Sequence, residues 1–245
     1  MLRPAVAVGA AVAVAVAAAA GIAIAHPGGL SMLFDFAEIS ARERYKLLVS
    51  TIVPRPIAWI VSQDLEGKLN AAPFSFFNAL SGDPPVVGIG IGSHDPGRPK
   101  DTRHNIRETG EFVVNLVSEE VAEVMNITAI EFEREISEPH EAGLTLTPSF
   151  RVKPPRIAES PVSMECELIQ IIEFSPENAL VLGRVVAMHV RDDAVLDAEK
   201  HHIDTPALKL IGRMHGSGWY ARTTDLFKMD RIPRGEWKPR AVKQP

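Results

Sequence analysis

Apolar residues in most of this chain fall into short runs spaced like strands rather than helices. Ile57-Ala58-Trp59-Ile60-Val61-Ser62 is brief, apolar and β-branched, the pattern of a buried strand. Residues 64–68, with Glu66-Gly67, read as a hairpin turn. The return strand begins near Asn70-Ala71-Ala72-Pro73 and runs on through Phe74-Ser75-Phe76-Phe77-Asn78. Residues 86–92, 112–117, 162–174 and 179–190 supply further strands, the last two joined by a turn at Ser175-Pro176-Glu177-Asn178. In 86–92, Gly88, Gly90 and Gly92 leave one strand face bare, which points to something flat or bulky against the backbone.

Helical pattern is sparse. Ser40 and Glu43 form a capping box for a short helix that has to stop before Pro54. A second helix starts at Lys100-Asp101-Thr102 and ends near Gly110, and Ser118 caps a third whose Val121, Val124 and Met125 share a face. Residues 130–155 are polar and turn-rich, a long excursion. Many strands, few helices and no βαβ alternation predict a mainly β fold, a closed β-barrel with helical insertions.

Residues 1–25 are different material, almost entirely Ala, Val, Ile and Gly with Arg3 as the only charge before Asp35. Ala23-Ile24-Ala25 fits a secretory cleavage site, which gives an exported or membrane-tethered protein. The competing reading starts translation at Met32, where the folded pattern begins abruptly and Gly28-Gly29 codons provide a ribosome-binding purine run; the protein is then cytoplasmic. Both readings set 1–31 apart as a prefix, with one domain over 32–233 and a polar tail over 234–245.

Composition narrows the function classes. A chain of 245 residues holds one good core or at most two small domains. The net charge of −5, with Lys and Arg scattered, provides no basic stripe for nucleic acid. Cys166 is the single cysteine, so no internal disulfide forms, and its alternating surroundings make it a small core residue. His201-His202-x-Asp204 lacks a third ligand at a useful spacing, and no metal site is expected.

Three constellations bear on ligand binding. Gly88-x-Gly90-x-Gly92 is not a dinucleotide fingerprint, because no G-x-G-x-x-G opens a helix there. Lys100-Asp101-Thr102 places a cation and a hydroxyl at a helix N-terminus with Asp101 as a capping residue: either an anion site or an ordinary capped helix with a surface lysine. Residues 213–220, Arg-Met-His-Gly-Ser-Gly-Trp-Tyr, make either a loop that closes over a planar ligand or a Gly-rich turn with two core aromatics.

Taken in order, the segments resemble the flavin reductase family of FMN-binding split barrels. The matching pieces are Pro54-Arg55-Pro56-Ile57-Ala58-Trp59, residues 70–77, Asp83-Pro84-Pro85, Lys100-Asp101-Thr102 with Asn105-Ile106, residues 110–115, residues 159–162 with Glu165-Cys166, and residues 182–185. The resemblance spans Phe34 to Pro233. It implies an FMN-binding homodimer with each flavin near the subunit interface. Asn70, Ala71, Ala72, Pro73, Ser75, Phe76 and Phe77 would line the ring and ribityl chain, largely through backbone groups. Lys100, Asp101 and Thr102 would hold the phosphate, and Arg55 and Pro56 would lie beside the flavin. His215 stands where the family pattern has glycine, as a possible neighbour of the ring. No side chain acts as nucleophile or base, since flavin N5 takes the hydride. The implied activity is NAD(P)H:FMN oxidoreduction, with NADH or NADPH as donor and a flavin-dependent monooxygenase as possible partner. The alternatives are a flavoredoxin-like carrier that retains FMN, and a binding protein that merely uses the scaffold.

Overall fold

Seven antiparallel strands build one sheet in the computed structural model, which describes residues 32–93, 99–133 and 136–237 and the backbone of Ile24–Ala25. The strands are β1 (Ala58–Gln63), β2 (Leu69–Phe74), β3 (Phe77–Gly82), β4 (Pro85–Gly92), β5 (Glu111–Leu116), β6 (Val162–Glu173) and β7 (Asn178–Val190). Across the sheet the order is β2-β1-β5-β6-β7-β4-β3. The two edge strands, β2 and β3, are therefore consecutive in the chain, joined only by Ser75-Phe76. Two linking residues reach about 11 Å at most, so the sheet has to curl until its edges meet. That seam makes the barrel split.

The core confirms the curl. Ala58 and Ile60 of β1 share one cluster with Val87, Ile89 and Ile91 of β4, although several strands separate them along the sheet. Phe74, Phe112, Val114, Met164, Cys166 and Val181 complete this interior. The alternate residues Trp59 and Val61 point outward into a second cluster with Ala71, Val121, Met125, Ile157 and Ile211. Burial on both faces is why 57–62 reads as an unbroken apolar run. Burial pushes the Cys166 thiol up to about 12, with Glu165 adding to the effect, which suits an inert core residue.

Two strand readings change. The return strand does not run through to Asn78: it stops at Phe74, Ser75-Phe76 turns the chain across the seam, and Phe77 opens the opposite edge. The bare face of β4 is also covered by the chain itself. A Cβ on Gly90 would lie 2.9 Å from Phe76 Cβ, and one on Gly88 would lie 2.6 Å from Leu80 Cδ1. The glycines let the neighbouring edge strand lie close.

Helix α1 (Ala41–Thr51) carries the complete Ser40–Glu43 capping box. Helix α2 (Asp101–Thr109) ends at Gly110, whose φ of 73° is the left-handed C-cap that favours glycine. Lys100, not Asp101, holds its N-cap position and makes no side-chain cap bond. Ser118 likewise makes no capping bond: a short 3₁₀ turn intervenes before α3 (Ala122–Ile127). The excursion contains the one-turn α4 (Glu138–Glu141) and a two-residue pairing of Leu146–Thr147 with Arg156–Ile157. His202 lies in a short strand pairing with residues 195–197, not in an open loop.

Fully buried Glu165 ties the excursion to the barrel. Its carboxylate accepts the N–H groups of Phe150 (2.7 Å), Arg151 (2.5 Å) and Val152 (3.3 Å), and pairs with His189 at 2.5 Å. Burial alone would raise its pKa, but these donors together hold it below the ordinary value.

Of the prefix, only the backbone of Ile24–Ala25 lies among the described residues, paired with Met32–Leu33. Among the described residues no helix is long and apolar enough to cross a membrane.

Candidate functional site

Ala71 and Pro73 face the same way along edge strand β2. The Ala71 N–H points away from β1, since it donates to Glu138 Oε2 at 3.3 Å. Pro73, two residues on, shares that outward register, where its missing N–H breaks no ladder bond. The outward edge of β2 thus presents backbone groups that the sheet does not use. Beside it opens a cleft of about 520 Å³, lined by Asn70, Ala72, Pro73, residues 99–102, residues 128–133 and Glu138. That volume is ordinary for a cofactor or small-molecule site.

Helix α2 starts in this cleft, so its unbonded first-turn N–H groups and positive dipole end face it. Lys100 is half-buried, its Nζ 5.7 Å from the centre of the Phe74 ring. Burial lowers its pKa, and the charge of Glu131 works in the opposite sense. The Thr102 side chain turns inward, only 1% exposed. With the Asn70 amide oriented to satisfy both ends, Thr102 Oγ1 donates to Asn70 Oδ1 at 2.8 Å, while Asn70 Nδ2 donates to Glu138 Oε1 at 3.2 Å. The Thr102 hydroxyl is therefore committed to the protein, and its backbone N–H is the group left for an anion. Burial raises the pKa of Glu138.

Arg55, Ser75, Phe76 and His215 gather instead at the far end of β2. Arg55 is 7% exposed and works as a clamp: Nη1 donates to Val49 O and Ile52 O, both at 2.8 Å, Nη2 to Met214 O at 3.1 Å, and Nε to Ser75 Oγ at 3.4 Å. It fixes the end of α1, the seam and the 213–220 loop together. His215 is exposed and stacks on Trp219 with ring centres 6.0 Å apart, so those rings are surface groups rather than core aromatics. Tyr220, by contrast, packs against the second core cluster. From Asn70 to Phe74 the strand covers about 13 Å, and the second group of residues lies just beyond its end.

Not every expected residue offers a side chain there. Ala71 is buried in the outer core cluster and Phe77 packs on the barrel interior, leaving only their backbones. Sequence reasoning missed Glu138 and the 128–133 wall, which lie in or beside a stretch with no periodicity.

Comparison with known proteins identifies the family. An uncharacterized protein of Deinococcus radiodurans is 44% identical over 209 residues, covering 84% of this chain and 92% of the relative. The 2-nitrobenzoate 2-nitroreductase NbaA of Pseudomonas fluorescens superposes with a TM-score of 0.75 at 37% identity, over 82% of this chain and 96% of that one. Nitrilotriacetate monooxygenase component B from Bacillus cereus gives 0.77 at 34% identity, over 82% of this chain and all of that one (100%). Residues 49–205 match the flavin reductase like domain, and the chain belongs to that family of split-barrel proteins.

Proposed function

We propose that this chain is an NAD(P)H-dependent FMN reductase that works as a homodimer and supplies reduced flavin to a partner monooxygenase. The observation that carries the reading is the cleft itself. An edge strand with unused backbone groups leads from an anion-attracting helix start, with half-buried Lys100, to a polar and aromatic end at Arg55, Ser75, Phe76 and His215. A long ligand, anionic at one end and flat at the other, suits that layout. The bound flavin would supply N5 as hydride acceptor. The protein's part is to bind and orient: Lys100 and the α2 N–H groups hold the phosphate, β2 backbone groups line the ring and ribityl chain, and the Arg55 clamp keeps the loop carrying His215 in place. The monooxygenase component among the relatives supports a monooxygenase partner.

Exposed apolar groups at the ring end support self-association. Tyr45 and Phe76 stack with ring centres 6.2 Å apart, and Leu48, Ile52 and Leu80 are also exposed. A second copy seated there would shield the flavin from water.

The test is NADH and NADPH oxidation by purified protein with and without added FMN. Nicotinamide consumption that depends on free FMN establishes the reductase. Retained flavin with no nicotinamide consumption would replace it with an electron carrier. Because one relative is a nitroreductase, 2-nitrobenzoate is a useful alternative acceptor in the same assay.

A further inference from the structure

Glu138 reverses the hydrogen-bonding character of the strand edge that it covers. It is the first residue of α4, a single turn anchored by buried Pro139, and its carboxylate reaches the start of β2. Oε2 accepts the Ala71 N–H at 3.3 Å, and Oε1 accepts the Asn70 amide at 3.2 Å. The outward N–H that β2 would offer a ligand at Ala71 is therefore already taken. In its place a carboxylate stands in the lining of the cleft. A carboxylate has about four acceptor sites, so these two bonds leave room for donors from a ligand.

Glu138 is also short of donors. At Glu165, three N–H groups and His189 outweigh burial and hold the pKa below the ordinary value. At half-buried Glu138, burial is the largest effect and its donors do not offset it, so the pKa stays above that value. A carboxylate in that state gains from a further hydroxyl that reaches it.

Its place along the cleft selects the part of the ligand it meets. Asn70 bonds Glu138 on one side and Thr102 on the other, so a single amide separates the carboxylate from the first turn of α2. That turn is the proposed phosphate end. In FMN the segment next to the phosphate is the ribityl chain, a run of hydroxyl donors. A carboxylate repels the phosphate itself and attracts those hydroxyls.

We infer that Glu138 accepts a hydrogen bond from a ribityl hydroxyl and is a specificity residue for that chain, an inference that rests on reading this cleft as the FMN site.

The test titrates apoprotein with FMN, riboflavin and lumiflavin, reading flavin fluorescence. Lumiflavin keeps the ring and carries a methyl group in place of the ribityl chain. Glu138→Ala is expected to weaken riboflavin by about tenfold or more, the typical loss for a bond to a charged group, with lumiflavin little changed. FMN should lose no more than riboflavin, because removing the carboxylate also eases the phosphate. Glu138→Gln, whose amide oxygen still accepts, should recover part of the loss. Equal weakening of riboflavin and lumiflavin, with a lower apoprotein Tm, would overturn the inference by making Glu138 a tie between α4 and β2. No weakening of either would overturn it by leaving the carboxylate idle. Lys100→Ala then shows which reading has failed. A lowered preference for FMN over riboflavin in that variant keeps the phosphate site and removes only Glu138, whereas an unchanged preference removes the FMN reading of the cleft and the inference with it.

Discussion

Asn70 and Thr102 bond to each other at 2.8 Å across the join between edge strand β2 and helix α2. Asn70 lies near the start of β2 and Thr102 in the first turn of α2, and both line the cleft. Their bond sets the two halves of the site at a fixed separation. Thr102→Val removes the hydroxyl and leaves Asn70 Oδ1 with only the weaker N–H of Ala71 at 3.3 Å. The variant should lose about 1 kcal/mol of stability, and it should weaken FMN and riboflavin together, because it moves β2 rather than removing a phosphate ligand. Denaturant unfolding and paired flavin titrations check both parts. A loss confined to FMN would return the hydroxyl to the phosphate.

Lys100 provides a pH signature. Its pKa lies below the ordinary 10.5 because the ammonium is desolvated. The charged form that attracts phosphate therefore disappears earlier as pH rises than it would on an exposed lysine. As pH rises toward the ordinary lysine value of 10.5, FMN affinity relative to riboflavin should fall, and Lys100→Arg should flatten that fall because a guanidinium does not titrate there. A wild-type preference that stays constant over this range would remove Lys100 from the site.

Glu165 should govern acid stability. A carboxylate whose pKa is lowered on folding contributes stability above its unfolded value, near 4.5, and loses it as pH falls through the folded value. Glu165→Ala leaves the N–H groups of Phe150, Arg151 and Val152 without their acceptor and should cost about 3 kcal/mol at neutral pH. It should also flatten the stability profile below pH 4.5. Urea midpoints at several pH values measure both effects.

Self-association has a local test in the apolar group at the ring end. Sedimentation at micromolar protein should give twice the chain mass for the wild type. Tyr45→Glu and Leu48→Glu together should shift the species toward monomer and lower flavin affinity, since both side chains are exposed in the single chain and carry little of its own packing. A wild-type monomer that binds FMN tightly would remove the interface from the proposal.

Much of the barrel was legible in the chain because strand periodicity and turn residues are local signals. The Ile57–Ser62 strand, the Asp64–Lys68 turn, the capping box and the Gly110 stop all follow from neighbours a few residues apart. The break at Ser75-Phe76 was not legible, since an apolar run reads alike whether it stays on one edge or crosses to another. Lys100-Asp101-Thr102 was found by its place at a helix start, but the direction of Thr102 depends on Asn70, which lies 32 positions away. Glu138 carried no signal at all: it is a carboxylate in a stretch without periodicity, and only the folded chain brings it to β2.

The Ser75-Phe76 link also separates two properties that barrels usually couple. In a ladder bonded all the way round, adding or removing one residue would turn side chains to the wrong face in strand after strand. Here the register is held by the pairings from β2 through β1, β5, β6, β7 and β4 to β3, and none of it is transmitted across the seam. Residues bordering the open edge are thus free to vary in length and chemistry without re-registering the interior. A scaffold of this kind can rewrite one margin while the packed centre is inherited unchanged.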